Sequence, residues 1–163
     1  MLKTTVNNMP NMVDNILRLV GPRNRLACLA GAAREGRFLQ EIKPLSRFAA
    51  DRAIEAWGTK WDIRDPYPDL IDNDDLYFDE GVVTLNLQFE SPWAAPLGAY
   101  EILTDEGIMV EAFYVDTSGQ DFGGKYFDGE HHSYPLKYLP MEIITIFQEL
   151  YDYDRLMLPT PAA

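Results

Sequence analysis

The chain predicts an α+β fold, an antiparallel sheet backed by helices, on three observations. Val83, Leu85, Leu87 and Phe89 alternate with Thr84, Asn86, Gln88 and Glu90, the period of a half-buried strand. Leu26, Leu29, Ala30 and Ala33 recur at the spacing of one helix face. A length of 163 residues, 47% hydrophobic and 25% charged, supplies one domain with a core of its own.

Taken in order, residues 1–11 read as a polar lead-in. Met12 to Val20 is aliphatic and β-branched and ends at Gly21-Pro22, so it predicts a strand with Leu17 and Leu19 on one face and Ile16, Arg18 and Val20 on the other. Pro22 suits a helix start and Gly36 a stop. Cys28 lies beside that helix's apolar stripe and is expected to be a buried, inert thiol, because no His or second Cys stands near to activate it. Phe38 to Pro44 reads as extended and irregular. Ser46 is placed to cap a short helix through Ala56, stopped by Gly58. Trp61 to Arg64 is a short second strand. Asp65-Pro66-Tyr67-Pro68-Asp69 then reads as a turn, since two prolines oppose a regular ladder.

After the alternating strand, Ser91 to Pro96 breaks the ladder. Leu97 to Leu103 predicts a helix ended by Gly107, and Ile108 to Val115 another strand. Phe122 to Phe127 is a short strand closed by Asp128-Gly129. Pro140 starts a last helix with Ile143, Ile146, Phe147 and Leu150 in its stripe. The order is the βαββαβ pattern of a ferredoxin-like split, an antiparallel sheet with helices on one face, plus the extra C-terminal helix. Residues 1–158 form a single domain, its core about 9–130 and its terminal helix about 139–152, and 159–163 form a flexible tail.

Composition narrows the function. No apolar run reaches the roughly 18 residues of a membrane span. The first residues lack the apolar centre of a secretory signal, and a lone cysteine permits no intrachain disulfide, so the cytoplasm is the expected compartment. His131 and His132 are the only histidines; adjacent residues on a strand face apart, and they read as exposed loop residues, not a metal pair. Asp72-Asn73-Asp74-Asp75 fails the calcium-loop pattern because Leu76 takes the third ligand position. Gly123-Gly124-Lys125 lacks the spacing and hydroxyl of a phosphate loop. No nucleophile elbow or triad is assembled by sequence. The expectation is therefore no catalytic residue, no metal, no cofactor and no enzyme.

The strongest signal is charge segregation. Residues 1–64 hold eleven Lys or Arg and six Asp or Glu; residues 65–163 hold three and twenty, within a net charge of −12. From Asp65 to Gly124 there are fourteen acids and no base. Such a balance opposes binding to nucleic acid or anionic lipid and favours a basic partner. A ferredoxin-like sheet binds single-stranded RNA when bases and aromatics line its face, but here Glu90, Glu111 and Asp116 occupy the strands. Same-face side chains on a strand stand about 6.7 Å apart, and duplex DNA carries a charge about every 1.7 Å. Carboxylates on strands and turns are thus expected to present a nucleic-acid-like potential, with Asp69, Asp72, Asp74, Asp75, Asp79, Glu80, Glu111 and Asp116 as the partner-binding set. Arg18, Arg23, Arg25, Arg34 and Arg37 form either a local basic patch or a set of intrachain ion pairs. Trp57, Trp61 and Trp93 read as core or loop-locking residues or, with Tyr67 and Tyr77, as interface anchors.

Four segments carry a resemblance. Met9-Pro10-Asn11 with Val13 to Gly21, then Trp57-Gly58-Thr59-Lys60-Trp61-Asp62, Phe89 to Pro96 and Asp121 to Tyr126 resemble, in the same order, the YubB-type ferredoxin-like domain of phage, plasmid and prophage proteins. Met12 stands where that family often has an aromatic, and the acidic, proline-bearing Pro66 to Asp75 departs from it. The resemblance implies a fold and a mobile-element origin, and no catalytic residues. Joined to the charge split, it predicts a non-enzymatic acidic binding protein that inhibits a basic host protein of nucleic-acid-targeting defence, such as a CRISPR system, by mimicry. The alternative is a self-assembling module, a homodimer in which basic and acidic halves pair.

Overall fold

The computed structural model describes residues 11–47, 49–72, 81–116 and 121–150. Its elements are β1 (Met12–Pro22), α1 (Arg23–Arg34), α2 (Phe38–Ile42), α3 (Ala50–Trp57), β2 (Arg64–Asp72), β3 (Val82–Pro92), α4 (Leu97–Asp105), β4 (Met109–Asp116), β5 (Phe122–Phe127), β6 (Glu130–Pro135), a 3-10 turn (Leu136–Tyr138) and α5 (Met141–Leu150). The strands form one open sheet in the order β2-β3-β1-β4-β5-β6, every neighbouring pair antiparallel. The class is α+β, in line with the alternation read in β3 and the helical spacing read in α1.

Strand alternation sorts the side chains. Leu17, Leu19, Leu85, Leu87, Phe89, Val110, Ala112 and Tyr126 bury one sheet face against Leu26, Leu29, Phe38, Trp57 and Tyr100 of α1 to α4. Ile16, Phe113 and Val115, from the other face, bury against Ile143, Ile144 and Phe147 of α5. The terminal helix therefore covers part of the second face. A helix shows only one apolar stripe, so each layer needs the sheet between them.

Four expectations are corrected. The proline segment is strand and not turn: β2 pairs Tyr67 with Gln88, Pro68 with Leu87 and Asp69 with Asn86. It lies at the sheet edge, where a strand needs donors on one side only, and a bulge between Arg64 and Tyr67, with Asp65 at φ 47°, absorbs Pro66. Phe38–Ile42 is helical because Asp62 reaches its N-terminus, accepting the Leu39 and Gln40 N–H groups at 2.9 and 3.0 Å. The histidines sit on a strand, β6, and not a loop; Asp128 (φ 43°) and Gly129 (φ 98°) form the two-residue hairpin turn that returns it against β5. Cys28 is exposed: α1 turns Leu26, Leu29, Ala30, Ala32 and Ala33 inward and leaves the thiol on the outside.

Candidate protein-binding face

The segments singled out by sequence close the fold and do not form a site. Trp57 is buried and donates from Nε1 to the Lys43 carbonyl at 2.9 Å. Thr59, also buried, donates to the Pro92 carbonyl at 2.7 Å. Lys60 lies 4.6 Å from the Trp93 ring centroid, the usual cation–π arrangement. Gly58 takes φ +86° to end α3, and a Cβ on Gly98 would lie 2.7 Å from the Ala56 carbonyl oxygen. Two motif segments are thus held backbone against backbone. In the third, a Cβ on Gly124 would collide with the Tyr114 hydroxyl. That hydroxyl is bonded to His131 Nε2, and burial pushes the phenol up to about 12, so it stays protonated and either group can donate, according to the histidine tautomer. Burial, then the charge of His132, holds the His131 imidazole below its ordinary value, suiting it to accept.

The face of the sheet that α5 leaves uncovered is different. One lateral row crosses all six strands: Asp69, Asn86, Arg18, Glu111, Phe127 and Glu130 stand directly opposite one another in turn. Within it Phe127 is 48% exposed, and beside it Tyr67 is 72% exposed. A groove of about 340 Å³ runs here, bordered by Arg18, Tyr67, Asp69, Asn86, Gln88 and Glu111 and by Ile146 and Leu150 of α5. A second of about 350 Å³ shares Glu111 and Phe113 and continues to Lys125, Phe127, Glu130, His132 and Glu142. At the far end of the same face Asp14 stands opposite Glu90. Burial, then the charges of Asp14 and Asp65, raises the Glu90 carboxyl above its usual range, with Arg64 opposing. Lys125 is engaged by Glu142 of α5 at 3.1 Å, which leaves the face rich in carboxylates.

Of the expected binding set, Asp69 is exposed and Glu111 half-buried in this row. Asp72 is exposed at the end of β2 and ion-paired with Arg23. Asp116 is corrected: it is 0% exposed and cannot present a charge to a partner. Asp74, Asp75, Asp79 and Glu80 lie outside the described residues, as does Tyr77. Asp14, Phe127 and Glu130 were not anticipated; once β6 is recognised, the hairpin register reveals the last two. The arginines do not form one patch. Arg18 is on the sheet face, Arg25 grips Glu106 through two bonds at 2.9 and 3.0 Å, and Arg37 bonds Glu41 at 2.9 Å and also Glu35.

Among the described residues no three His, Cys, Asp or Glu side chains are arranged to hold a metal ion, and no helix is long and apolar enough to cross a membrane. No protein-family model, no curated protein and no solved structure matches the chain.

Proposed function

We propose that this chain is a non-enzymatic acidic binding protein that docks a basic, nucleic-acid-handling protein on the uncovered face of its sheet. The observation that carries the reading is the lateral row from Asp69 to Glu130, which contains exposed Phe127 and has exposed Tyr67 beside it. Aromatics beside carboxylates suit arginine and lysine side chains, which bond the acid and stack on the ring. Strands lie about 4.8 Å apart, so Asp69 to Glu111 spans about 14 Å and Glu111 to Glu130 about 10 Å. That is sparser than duplex phosphates. The mimicry consists of discrete seats for separate basic side chains and not of a continuous phosphate track.

The four strands β2-β3-β1-β4, with α1 and α4 in the crossovers, read as the ferredoxin-like split, to which the β5–β6 hairpin and α5 are additions. The YubB-type resemblance supports a partner that is a host defence protein, met in the cytoplasm of a cell carrying a phage or plasmid. The self-assembling alternative is less favoured, because Arg23, Arg25 and Arg37 already spend their charge within the chain.

The test is a triple variant, Asp69→Lys, Glu111→Lys and Glu130→Lys, in capture from host lysate with elution by salt. The unaltered chain should hold a basic protein that elutes as salt rises. The variant, with an unchanged circular dichroism spectrum, should hold none. Equal capture by both chains would refute the reading.

A further inference from the structure

The two edges of the sheet are built differently. β2 carries Pro66, Pro68, a bulge and a positive φ at Asp65, each of which keeps an edge from recruiting another strand. β6 has no bulge, no positive φ and no proline before Pro135 at its end. Among the described residues no strand pairs with its outer side. The two-residue turn makes Phe127 and Glu130 a mutually bonded pair. Leu136 keeps the same phase, donating its N–H to the Asp121 carbonyl at 2.8 Å. The intervening residues His131 and Ser133 therefore direct their N–H and C=O groups away from the sheet.

We propose that β6 is a homodimer interface, at which two copies of this chain join edge to edge, antiparallel, about a two-fold axis at His132. In that register His131 of one copy stands opposite Ser133 of the other, and each such pair exchanges both backbone bonds, so every outward group of His131 and Ser133 is satisfied. Glu130 stands opposite Tyr134 and diagonal to His132 across the axis, a carboxylate facing a phenol and an imidazole that both donate to it. Because β2 is closed to pairing, copies cannot add head to tail and the assembly stops at two. The contact is mainly backbone, and each copy carries a net charge of −12. Salt therefore screens a repulsion and strengthens this dimer, the reverse of pairing between basic and acidic halves.

Sedimentation of the full chain over a concentration series, at low and high salt, tests this. The expected result is a monomer–dimer equilibrium that tightens as salt is added. Ser133→Pro removes an outward donor and none of those facing β5, so the hairpin survives while dimer dissociation becomes about tenfold or more easier. His132→Glu sets like charges across the axis, beside the Glu130 carboxylates, and should weaken the dimer as well. A chain that stays monomeric at all concentrations, a dimer that dissolves as salt rises, or one indifferent to both substitutions overturns the proposal.

Discussion

On the α1–α4 side of the sheet, β1 presents Leu17 and Leu19; one residue along, on the α5 side, it presents Ile16 and Arg18. The first side is closed by four helices, and several of their surface charges find partners at home, as in Arg25 with Glu106 and Arg37 with Glu41. The second is closed by one helix over Ile16, Phe113 and Val115, and its carboxylates remain turned outward. Among the described residues, the difference teaches that ion pairs absorb charge on one side while carboxylates such as Asp69 and Glu130 stand exposed on the other. A single residue step along a strand separates the part that holds the fold from the part free to meet something else.

The largest effect should come from the closed side. Trp57→Ala removes a buried ring and a hydrogen bond and is expected to cost about 3–5 kcal/mol in urea unfolding. Tyr67→Ala, on the open side, should change stability by no more than about 0.5 kcal/mol. Equal costs would erase the distinction. Next, Gly98→Ala forces a Cβ against the Ala56 backbone and should cost about 1–3 kcal/mol. Gly31→Ala, with open space around it in α1, should stabilise by about 0.5–1 kcal/mol.

Smaller effects belong to the open side. Glu90→Gln removes a charge that burial and then the carboxylates at Asp14 and Asp65 disfavour, so the variant should gain about 0.2–0.5 kcal/mol at neutral pH, a small figure because solvent screens this partly exposed group. The folded chain holds the Glu90 proton more tightly than the unfolded one, so the native residue is favoured at low pH and loses that advantage as pH rises. The gain should therefore shrink below the ordinary glutamate range; a gain independent of pH would contradict the cause. The His131 shift has the opposite sense. Its folded value lies below the unfolded one, so stability is full above the ordinary imidazole range and falls as pH drops through it. His131→Gln should flatten that part of the stability–pH curve.

The sequence made the buried layers on both sides legible wherever apolar periodicity was strong: β1, α1, β3, β4 and α5 all follow from it. It concealed what depends on tertiary position. Prolines in β2 signalled a turn because nothing local says that a strand lies at an edge. β6, Glu-His-His-Ser-Tyr-Pro, has no alternation to detect because most of it is exposed on both faces. Asp62 gave no hint of helix capping because its helix lies more than twenty residues upstream. The acidic bias was visible, but its allocation was not: Asp116 is buried, Asp72 is paired with Arg23, and Asp69, Arg18 and Glu111 come from strands distant in the chain.

The outward thiol of Cys28 has a practical consequence. It is the sole sulfhydryl in the sequence, and α1 carries it on the far side of the helical layer from the carboxylate row. A maleimide dye placed there reports from one defined point without touching Asp69, Glu111 or β6. Energy transfer between donor- and acceptor-labelled copies then separates a doubled sheet from a lone chain holding a foreign protein, in a single cuvette.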